Sequence, residues 1–271
     1  MLGDSTMEER AMVLLSLYLG LDPKHANPAP GLLRVPSGAL NSSFSAESQK
    51  CSGDVYKHRD FDTSHNGTLF PSDTRISFLW LGDKSPCHNL GGLHSVFQSP
   101  SRLARIRNVL SGEGTSKSPD FVLWNSGLHD IGSSSDSFQF NFGSYRHLLD
   151  KMWRFLLDSG SKQRNQGLPT PSFFWMPTSP KYKNFECAIT HGAGIGTAGV
   201  RIMNQVGSEV ANEYKARSID SVFDIRYLTP QDGDGHHMKH GSSCKRTIEM
   251  ILLSLSGVRR ANTSLPLDMY F

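Results

Sequence analysis

Apolar residues recur along the chain in two patterns, and these alternate from one segment to the next. Short apolar runs that end in turn residues predict strands, and apolar positions three or four residues apart predict helices. The predicted strands are 76–82, Asp120 to Trp124, Ser172 to Met176 and Ile219 to Ile225. The predicted helices are 5–21, 100–111, 143–158, 199–216 and Ser243 to Leu255. Such alternation favours an α/β fold, with a parallel sheet covered on both faces and function at the carboxyl ends of its strands.

Residues 22–75 show no sustained period and contain Pro23, Pro28, Pro30 and Pro36 among many serines. We predict a loop-rich, partly ordered insertion there. The length of 271 residues fits one large α/β domain or two small ones. We predict a single domain over residues 1–271 that contains this insertion.

Charge and hydropathy exclude some classes of function. Lys and Arg number 28 against 25 Asp and Glu, and a net charge of +3 predicts no nucleic-acid partner. No apolar run is long enough to span a bilayer. The longest, Ala11 to Leu21, follows Asp4, Glu8 and Glu9 with only Arg10 positive, so it predicts a buried helix rather than a signal peptide.

Cysteines and glycosylation sequons bear on the compartment. The four cysteines lack CxxC spacing, so either two disulfides or four free thiols remain open; they are Cys51, Cys87, Cys187 and Cys244. Three N-glycosylation sequons weakly favour a secretory compartment. They occur at Asn41, Asn66 and Asn262.

Ser5 follows Gly3 and Asp4 at the predicted start of a helix. The N–H groups and the positive dipole end of a helix N-terminus are suited to hold an oxyanion while a serine attacks an ester. The alternative is structural, because Ser and Asp are favoured N-cap residues.

Asp234 and His237 lie three residues apart near the other end of the chain. A histidine can take the proton of a serine nucleophile while a carboxylate orients its ring. His236 is the competing base. The alternative is a polar turn, since the surrounding Asp-Gly pairs are strong turn formers.

The segment 232–244 also suggests a metal site, because His236 and His240 have i, i+4 spacing. Further ligand types close by are His237, Asp232 and Cys244. The glycines of this segment argue against a rigid helix that would present two histidines. The match of 194–199 to a dinucleotide fingerprint lacks a preceding strand, so no cofactor is predicted.

Asn125 directly follows the strand that ends at Trp124. Its amide at a strand's carboxyl end is suited to donate a hydrogen bond to an oxyanion. The alternative is an Asx-turn cap. We expect His129 and Asp130 to order the loop that follows.

Together these motifs resemble the SGNH (GDSL-like) hydrolase superfamily. Gly3-Asp4-Ser5 resembles its first block, Asn125-Ser126-Gly127 its Asn-bearing third block, and Asp234-Gly235-His236-His237 its D-x-x-H block. The stretch 124–130 is similar to the PC-esterase branch, which includes the trichome-birefringence-like and neurexophilin/PC-esterase proteins. The second-block glycine remains open among Gly82, Gly91 and Gly92.

The resemblance implies a three-layer α/β/α sandwich whose first strand, normally central, is truncated here to Met1 and Leu2. It implies Ser5 as nucleophile, His237 as base and Asp234 as orienting acid, with Ser5 and Asn125 forming the oxyanion hole. The implied activity is hydrolysis or transfer of O-acetyl groups of carbohydrate, without metal or cofactor. It also implies a Golgi-lumenal or extracellular protein whose membrane anchor, if any, lies outside this chain. A catalytically inactive carbohydrate-binding domain and a metal-dependent hydrolase remain as alternatives.

Overall fold

The computed structural model describes an α/β structure over these residues: 1–3, 7, 10–11, 14, 41–42, 45–47, 56–62, 75–81, 92–112, 118–126, 130, 142–165, 167, 169–178, 197–219 and 247–256. The strands are β1 (Leu2–Gly3), β2 (Asn41–Ser42), β3 (Ser45–Glu47), β4 (Tyr56–Asp62), β5 (Arg75–Trp80), β6 (Phe121–Trp124), β7 (Ser172–Trp175) and β8 (Arg217–Ser218). The helices are α1 (Gly92–Phe97), α2 (Pro100–Ser111), α3 (Phe142–Asn165), α4 (Thr197–Glu213) and α5 (247–256).

The described strands form one sheet in the order β2-β4-β5-β1-β6-β7-β8, and β3 pairs with the outer edge of β4 beside β2. Five of the strands are parallel to one another, and they are β5, β1, β6, β7 and β8. The added strands β2, β3 and β4 are antiparallel to their neighbours. The predicted mostly parallel sheet is therefore confirmed.

The two-residue strand β1 lies in the middle of the sheet, between β5 and β6. Leu2 is in register with Leu79 on one side and with Trp124 on the other. The Leu81 N–H donates to the Gly3 carbonyl at 2.7 Å, and the Asn125 N–H donates to the Leu2 carbonyl at 3.0 Å. The central position that the resemblance implies for the first strand is confirmed.

Alternate residues of the strands point to opposite faces of the sheet, and each face has its own core. One core joins Leu79, Trp124 and Trp175 to the buried side chains of α1, α2, α3 and α4. The other joins Phe78, Leu123 and residues of the segment that begins at Met7 to α5. Helices on both faces of one sheet make the three predicted layers.

Helix α2 shows how local sequence sets the ends of an element. Ser99 is its N-cap and accepts a hydrogen bond from the Arg102 N–H at 3.3 Å, and Pro100 opens the first turn. Gly112 closes the helix with a φ of 70°, the left-handed conformation that glycine adopts without strain. The predicted helix 100–111 is confirmed at both ends.

The other predicted elements agree with the described residues to within a few positions, except that α1 was not predicted and α3 continues past 158 to Asn165. The predicted strand 219–225 does not coincide with the described strand β8, which covers Arg217–Ser218 and ends just before Ile219; residues 220–225 lie outside the described residues.

The structure adds strands that were not predicted to the range 22–75, which was predicted to be loop-rich and partly ordered. Three strands, β2, β3 and β4, lie in that range and extend the sheet beyond β5. Their pairing with one another is antiparallel, so none needs a helical crossover, and the helix–strand alternation used for the prediction gives no signal. That the range is an insertion stays a prediction.

Within the part of the chain that the structure describes, no helix combines the length and the apolar character needed to cross a bilayer.

Candidate active site

The carboxyl ends of β1, β6 and β7 lie at one edge of the sheet, because these neighbouring strands are parallel. The chain leaves β1 towards the β5 side of the sheet and leaves β6 towards the β7 side. In open parallel sheets, ligands bind at such a switch point, outside the carboxyl ends of the strands. Gly3 ends β1 and Asn125 follows β6, so both residues lie at this point.

The backbone of Gly3 packs against the side chain of Asn125. A Cβ atom added to Gly3 would overlap the carboxamide oxygen of Asn125 and would lie 2.6 Å from Cβ of Met7. Only glycine leaves room for this approach. The chain that leaves β1 towards Ser5 therefore starts against the Asn125 carboxamide, and the fully buried Met7 lies close by.

Ser5, Asp234 and His237 lie outside the described residues, so the predicted triad stays a prediction. Gly3 and Met7, on either side of Ser5, are described. Chain connectivity alone keeps the Cα atom of Ser5 within about 7 Å of the Cα atom of Gly3. The predicted helix after Ser5 is confirmed at its described positions, which are Met7, Arg10, Ala11 and Leu14.

Asn125 occupies the predicted place at the carboxyl end of a strand, and its side chain is fully buried. The next residue, Ser126, is held by three hydrogen bonds. Its carbonyl accepts from the Tyr145 hydroxyl at 3.0 Å and from the Thr178 hydroxyl at 2.9 Å. Its own hydroxyl donates to the carboxylate of Asp130. These bonds connect the residue after Asn125 to α3 and to the segment after β7.

The carboxylate of Asp130 joins Ser126 to the first turn of α1. Its Oδ2 accepts from the Ser126 hydroxyl, and its Oδ1 accepts from the Leu93 N–H at 2.8 Å. Gly92 has a φ of +61°, and a Cβ atom there would lie 2.5 Å from Oδ2 of Asp130. Both observations favour glycine. Asp130 thus binds the residue that follows Asn125, while residues 127–129, His129 among them, lie outside the described residues, so the ordering of this loop stays a prediction.

The segment after β7 is held from α4 by Asn204. Its Oδ1 accepts a hydrogen bond from the Thr178 N–H at 2.8 Å, and its Nδ2 donates to the Thr178 carbonyl at 2.8 Å. Both residues are buried. Backbone groups at a buried strand end need partners, and one side-chain amide supplies both here.

Tyr145, Thr178 and Asn204 were not singled out from the sequence. Tyr145 lies 19 residues from its partner Ser126, Thr178 lies 52 residues from Ser126, and Asn204 lies 26 residues from Thr178. No local spacing reveals such pairs. Thr178 carried one available signal, because it follows a predicted strand at the edge where function collects.

Two further expectations concern glycines and metals. Gly92 is described, whereas Gly82 and Gly91 are not, so the second-block glycine stays undecided. The alternative metal cluster at 232–244 also lies outside the described residues. Among the residues that are described, no three His, Cys, Asp or Glu side chains are grouped to hold a metal ion.

Neither a protein-family model nor a curated protein sequence matches the chain. Solved structures do. A peptidoglycan O-acetylesterase superposes with a TM-score of 0.52 at 14% identity, over 96% of this chain and 90% of that one. A carbohydrate acetylesterase from Sinorhizobium meliloti gives 0.46 at 14% identity, over 65% and 71%. An aryl esterase from M. smegmatis gives 0.43 at 16% identity, over 59% and 71%.

At these identities the likeness concerns the fold, and the match with a TM-score above 0.5 carries it. The predicted α/β fold with a mostly parallel central sheet is confirmed, and the chain shares its fold with this peptidoglycan O-acetylesterase.

Proposed function

We propose that this protein is an acyl-ester hydrolase of the SGNH type, in which Ser5 is the nucleophile, His237 the general base and Asp234 the carboxylate that orients it. The backbone N–H of Ser5 and the side-chain amide of Asn125 form the oxyanion hole in this proposal. The observation that supports it is the contact between Gly3 and Asn125, since Gly3 lies two residues before Ser5 and meets the proposed oxyanion residue at the switch point of the sheet.

The reaction proceeds in two acyl transfers. His237 takes the proton of the Ser5 hydroxyl as Ser5 attacks the ester carbonyl, and Asp234 holds the tautomer of His237 that accepts it. The tetrahedral oxyanion collapses to acyl-Ser5, and His237 returns the proton to the leaving alcohol. Water, activated by His237, then releases the acid. A sugar hydroxyl in place of water gives an O-acyltransferase with the same acyl-enzyme.

The position of Asn125 suits this role. Hydrogen-bond donors at an oxyanion hole lower the barrier most when they are held in place before the reaction. The N–H of Asn125 donates a hydrogen bond to the Leu2 carbonyl, and the carbonyl of the next residue, Ser126, accepts hydrogen bonds from two hydroxyl groups. Because the Asn125 side chain is fully buried, the proposal requires the residues that cover it to make room for the acyl group.

The proposed substrate is an O-acetyl group on carbohydrate, or another small ester. Support comes from the shared fold with a protein that is a peptidoglycan O-acetylesterase. The likeness of 124–130 to the PC-esterase branch further suggests a polysaccharide acceptor, and membership of that branch is part of this proposal.

We also propose that the protein works in the Golgi lumen or outside the cell. Its three sequons support this placement. Expression through the secretory pathway should then yield a product whose mass falls on endoglycosidase treatment, and an unchanged mass would count against it.

The decisive experiment uses a fluorophosphonate probe, which labels activated serines. The wild-type protein should be labelled at Ser5 and should release acetate from acetyl esters. Ser5→Ala should lose both labelling and hydrolysis while its unfolding in urea is unchanged. Ser161→Ala, at an exposed serine of α3 outside the proposed site, is the matched control and should keep both.

His237→Ala and Asp234→Asn should slow labelling, because each weakens the activation of the serine. Labelling that persists in Ser5→Ala would place the nucleophile elsewhere. A folded wild-type protein that is never labelled would favour the binding-domain alternative.

A further inference from the structure

We propose that Asp130 is a positioning residue for ester hydrolysis: its carboxylate holds Ser126 and, through Ser126, keeps the Asn125 amide in place to bind the oxyanion. The proposal rests on the function proposed above, because it needs Asn125 in the oxyanion hole. Asp130 does not itself touch the substrate.

Asp130 binds two groups among the described residues, and these groups lie on different elements. Asp130 is buried, with 8% of its surface exposed, and each of its oxygens accepts a hydrogen bond from a different element. One bond comes from the Leu93 N–H in the first turn of α1 and the other from the Ser126 hydroxyl. Hydrogen bonds to a carboxylate are stronger than those between neutral groups. Asp130 therefore connects α1 to the end of β6.

The hydrogen bonds to Ser126 hold the backbone next to Asn125. Ser126 directly follows Asn125, and its hydroxyl and carbonyl make the three bonds described above. The N–H of Asn125 is bonded to Leu2. With the backbone held on both sides, the carboxamide of Asn125 has only its side-chain torsions left, and it rests against Gly3.

Gly92 leaves room for the carboxylate of Asp130. A side chain on Gly92 would collide with the carboxyl group of Asp130. Gly92 also has a positive φ, so any other residue there would be strained even without this collision. The approach of Asp130 to α1 is therefore built into both segments.

The consequence concerns rate rather than affinity. A displaced oxyanion donor weakens binding of the transition state more than binding of the ester, so kcat falls while KM changes little. Loss of a fold-stabilising contact alone would instead lower the fraction of active protein and leave kcat per active site unchanged.

The test compares Asp130→Ala, Asp130→Asn and Ser126→Ala with the wild type in hydrolysis of an acetyl ester, with kcat divided by the number of sites that the fluorophosphonate labels. Asp130→Ala should lower kcat per site about 100-fold and Ser126→Ala about 10-fold, since small displacements of a reacting group have effects of this size. KM should stay within about twofold in both.

Asp130→Asn should recover most of the rate. Its carbonyl can still accept from Leu93, and its amide can donate to the Ser126 hydroxyl, which accepts as well as donates. Ser159→Ala is the matched control. Ser159 is also buried and donates to a backbone carbonyl, that of Phe155 at 2.7 Å, but it lies on α3 outside the described network. Its kcat per site should equal that of the wild type.

A double-mutant cycle gives the outcome that decides. If Asp130 acts through Asn125, then Asp130→Ala should cost no further rate once Asn125→Ala is present. A full additional loss in that background, or an unchanged kcat per site in Asp130→Ala alone, overturns the inference while the function stands. Should Asp130→Ala not fold, Ser126→Ala decides in its place, and an unchanged kcat per site in Ser126→Ala overturns the inference. If the wild type is not labelled, or Ser5→Ala still is, the function and the inference fall together.

Discussion

Gly207 on α4 lies directly against the indole ring of Trp175 on β7. A Cβ atom at Gly207 would lie 2.6 Å from Cε2 and 2.9 Å from Nε1 of that ring. Trp175 is fully buried and meets Trp124 edge to face, with ring centroids 4.8 Å apart. Because Gly207 has no side chain, α4 can pack close to β7. The segment that follows β7 is the one that Asn204 of α4 binds through Thr178.

We predict that Gly207→Ala lowers the free energy of unfolding. Alanine is favoured over glycine within a helix by about 1 kcal/mol, so a gain is expected if packing does not matter. The collision with Trp175 should outweigh this, with a net loss of about 1–3 kcal/mol. Urea unfolding followed by tryptophan fluorescence measures it.

Gly160→Ala is the matched control on α3. A Cβ atom there would meet Phe173 and Thr170 at 3.5 Å, an ordinary contact. This variant should be as stable as the wild type or more stable, by up to about 1 kcal/mol. A gain at Gly207 equal to that at Gly160 would contradict the close packing of α4 on Trp175.

A second prediction concerns the two bonds between Asn204 and Thr178. Asn204→Ala leaves a buried N–H and a buried carbonyl without these partners, and should cost about 2–4 kcal/mol of unfolding free energy. Gln205→Ala, the next residue on α4, removes an exposed hydrogen bond to Glu209 and should change stability by less than about 0.5 kcal/mol. Equal effects of the two variants in urea unfolding would be inconsistent with a buried clamp.

A third prediction concerns pH. Asp150 accepts hydrogen bonds from the Tyr214 hydroxyl and from Arg154 at 3.0 Å. The Tyr214 bond is the largest cause that lowers the pKa of Asp150 below its ordinary 3.8, and desolvation opposes it. A carboxylate with a lowered native pKa contributes stability above its unfolded pKa, and this contribution is lost as the pH falls through the native value.

Tyr214→Phe keeps the ring that stacks on Trp153 at 6.1 Å but removes the hydroxyl. It should cost about 1 kcal/mol at pH 7, because Asp150 is partly exposed. The difference from the wild type should shrink below about pH 4. Unfolding in urea across pH measures this, and a difference that is constant down to about pH 2 would argue against the bond.

A fourth prediction tests the oxyanion residue. Asn125→Ala should lower kcat about 100- to 1,000-fold, as loss of one oxyanion donor does. KM should change little, because the donor acts on the transition state. Asn212→Ala, at an exposed position of α4, removes an amide outside the described network at the strand ends and should leave kcat unchanged. A fall confined to the labelled fraction would mean that Asn125 only supports the fold.

A fifth prediction separates the triad from a metal mechanism. A chelator such as EDTA should leave acetyl-ester hydrolysis unchanged, because the proposed triad needs no metal ion. Loss of activity that added zinc restores would instead support the 232–244 cluster. His240→Ala tests the same question, because His240 belongs to that cluster but not to the triad, so only a metal mechanism should lose activity in this variant.

Local pattern was sufficient for most individual elements. The apolar run that ends at Trp124 and the helix between Ser99 and Gly112 were predictable, because strand alternation and helix caps depend on neighbours in sequence. The strands β2, β3 and β4 were not, since antiparallel pairing requires no helical crossover whose period would mark the strands.

The polar network at the strand ends was mostly out of reach of the sequence. Asn125 was predictable because it follows a strand and carries an amide. Its surroundings were not, because Tyr145, Thr178 and Asn204 reach their partners across 19 to 52 residues of chain. Such pairs are chosen by how helices pack on the sheet, which local spacing does not encode.

The sequence by itself determined the alternation of strands and helices, the fold class and the candidate chemistry, because each depends on short-range periodicity or on side-chain type. Only the tertiary structure decided that β2, β3 and β4 extend the sheet beyond β5, that Gly3 meets Asn125, and that Asp130 connects Ser126 to α1. The physical reason is that strand order and buried hydrogen bonds are selected by the packing of distant segments, where a buried polar group must find a partner wherever the fold brings one.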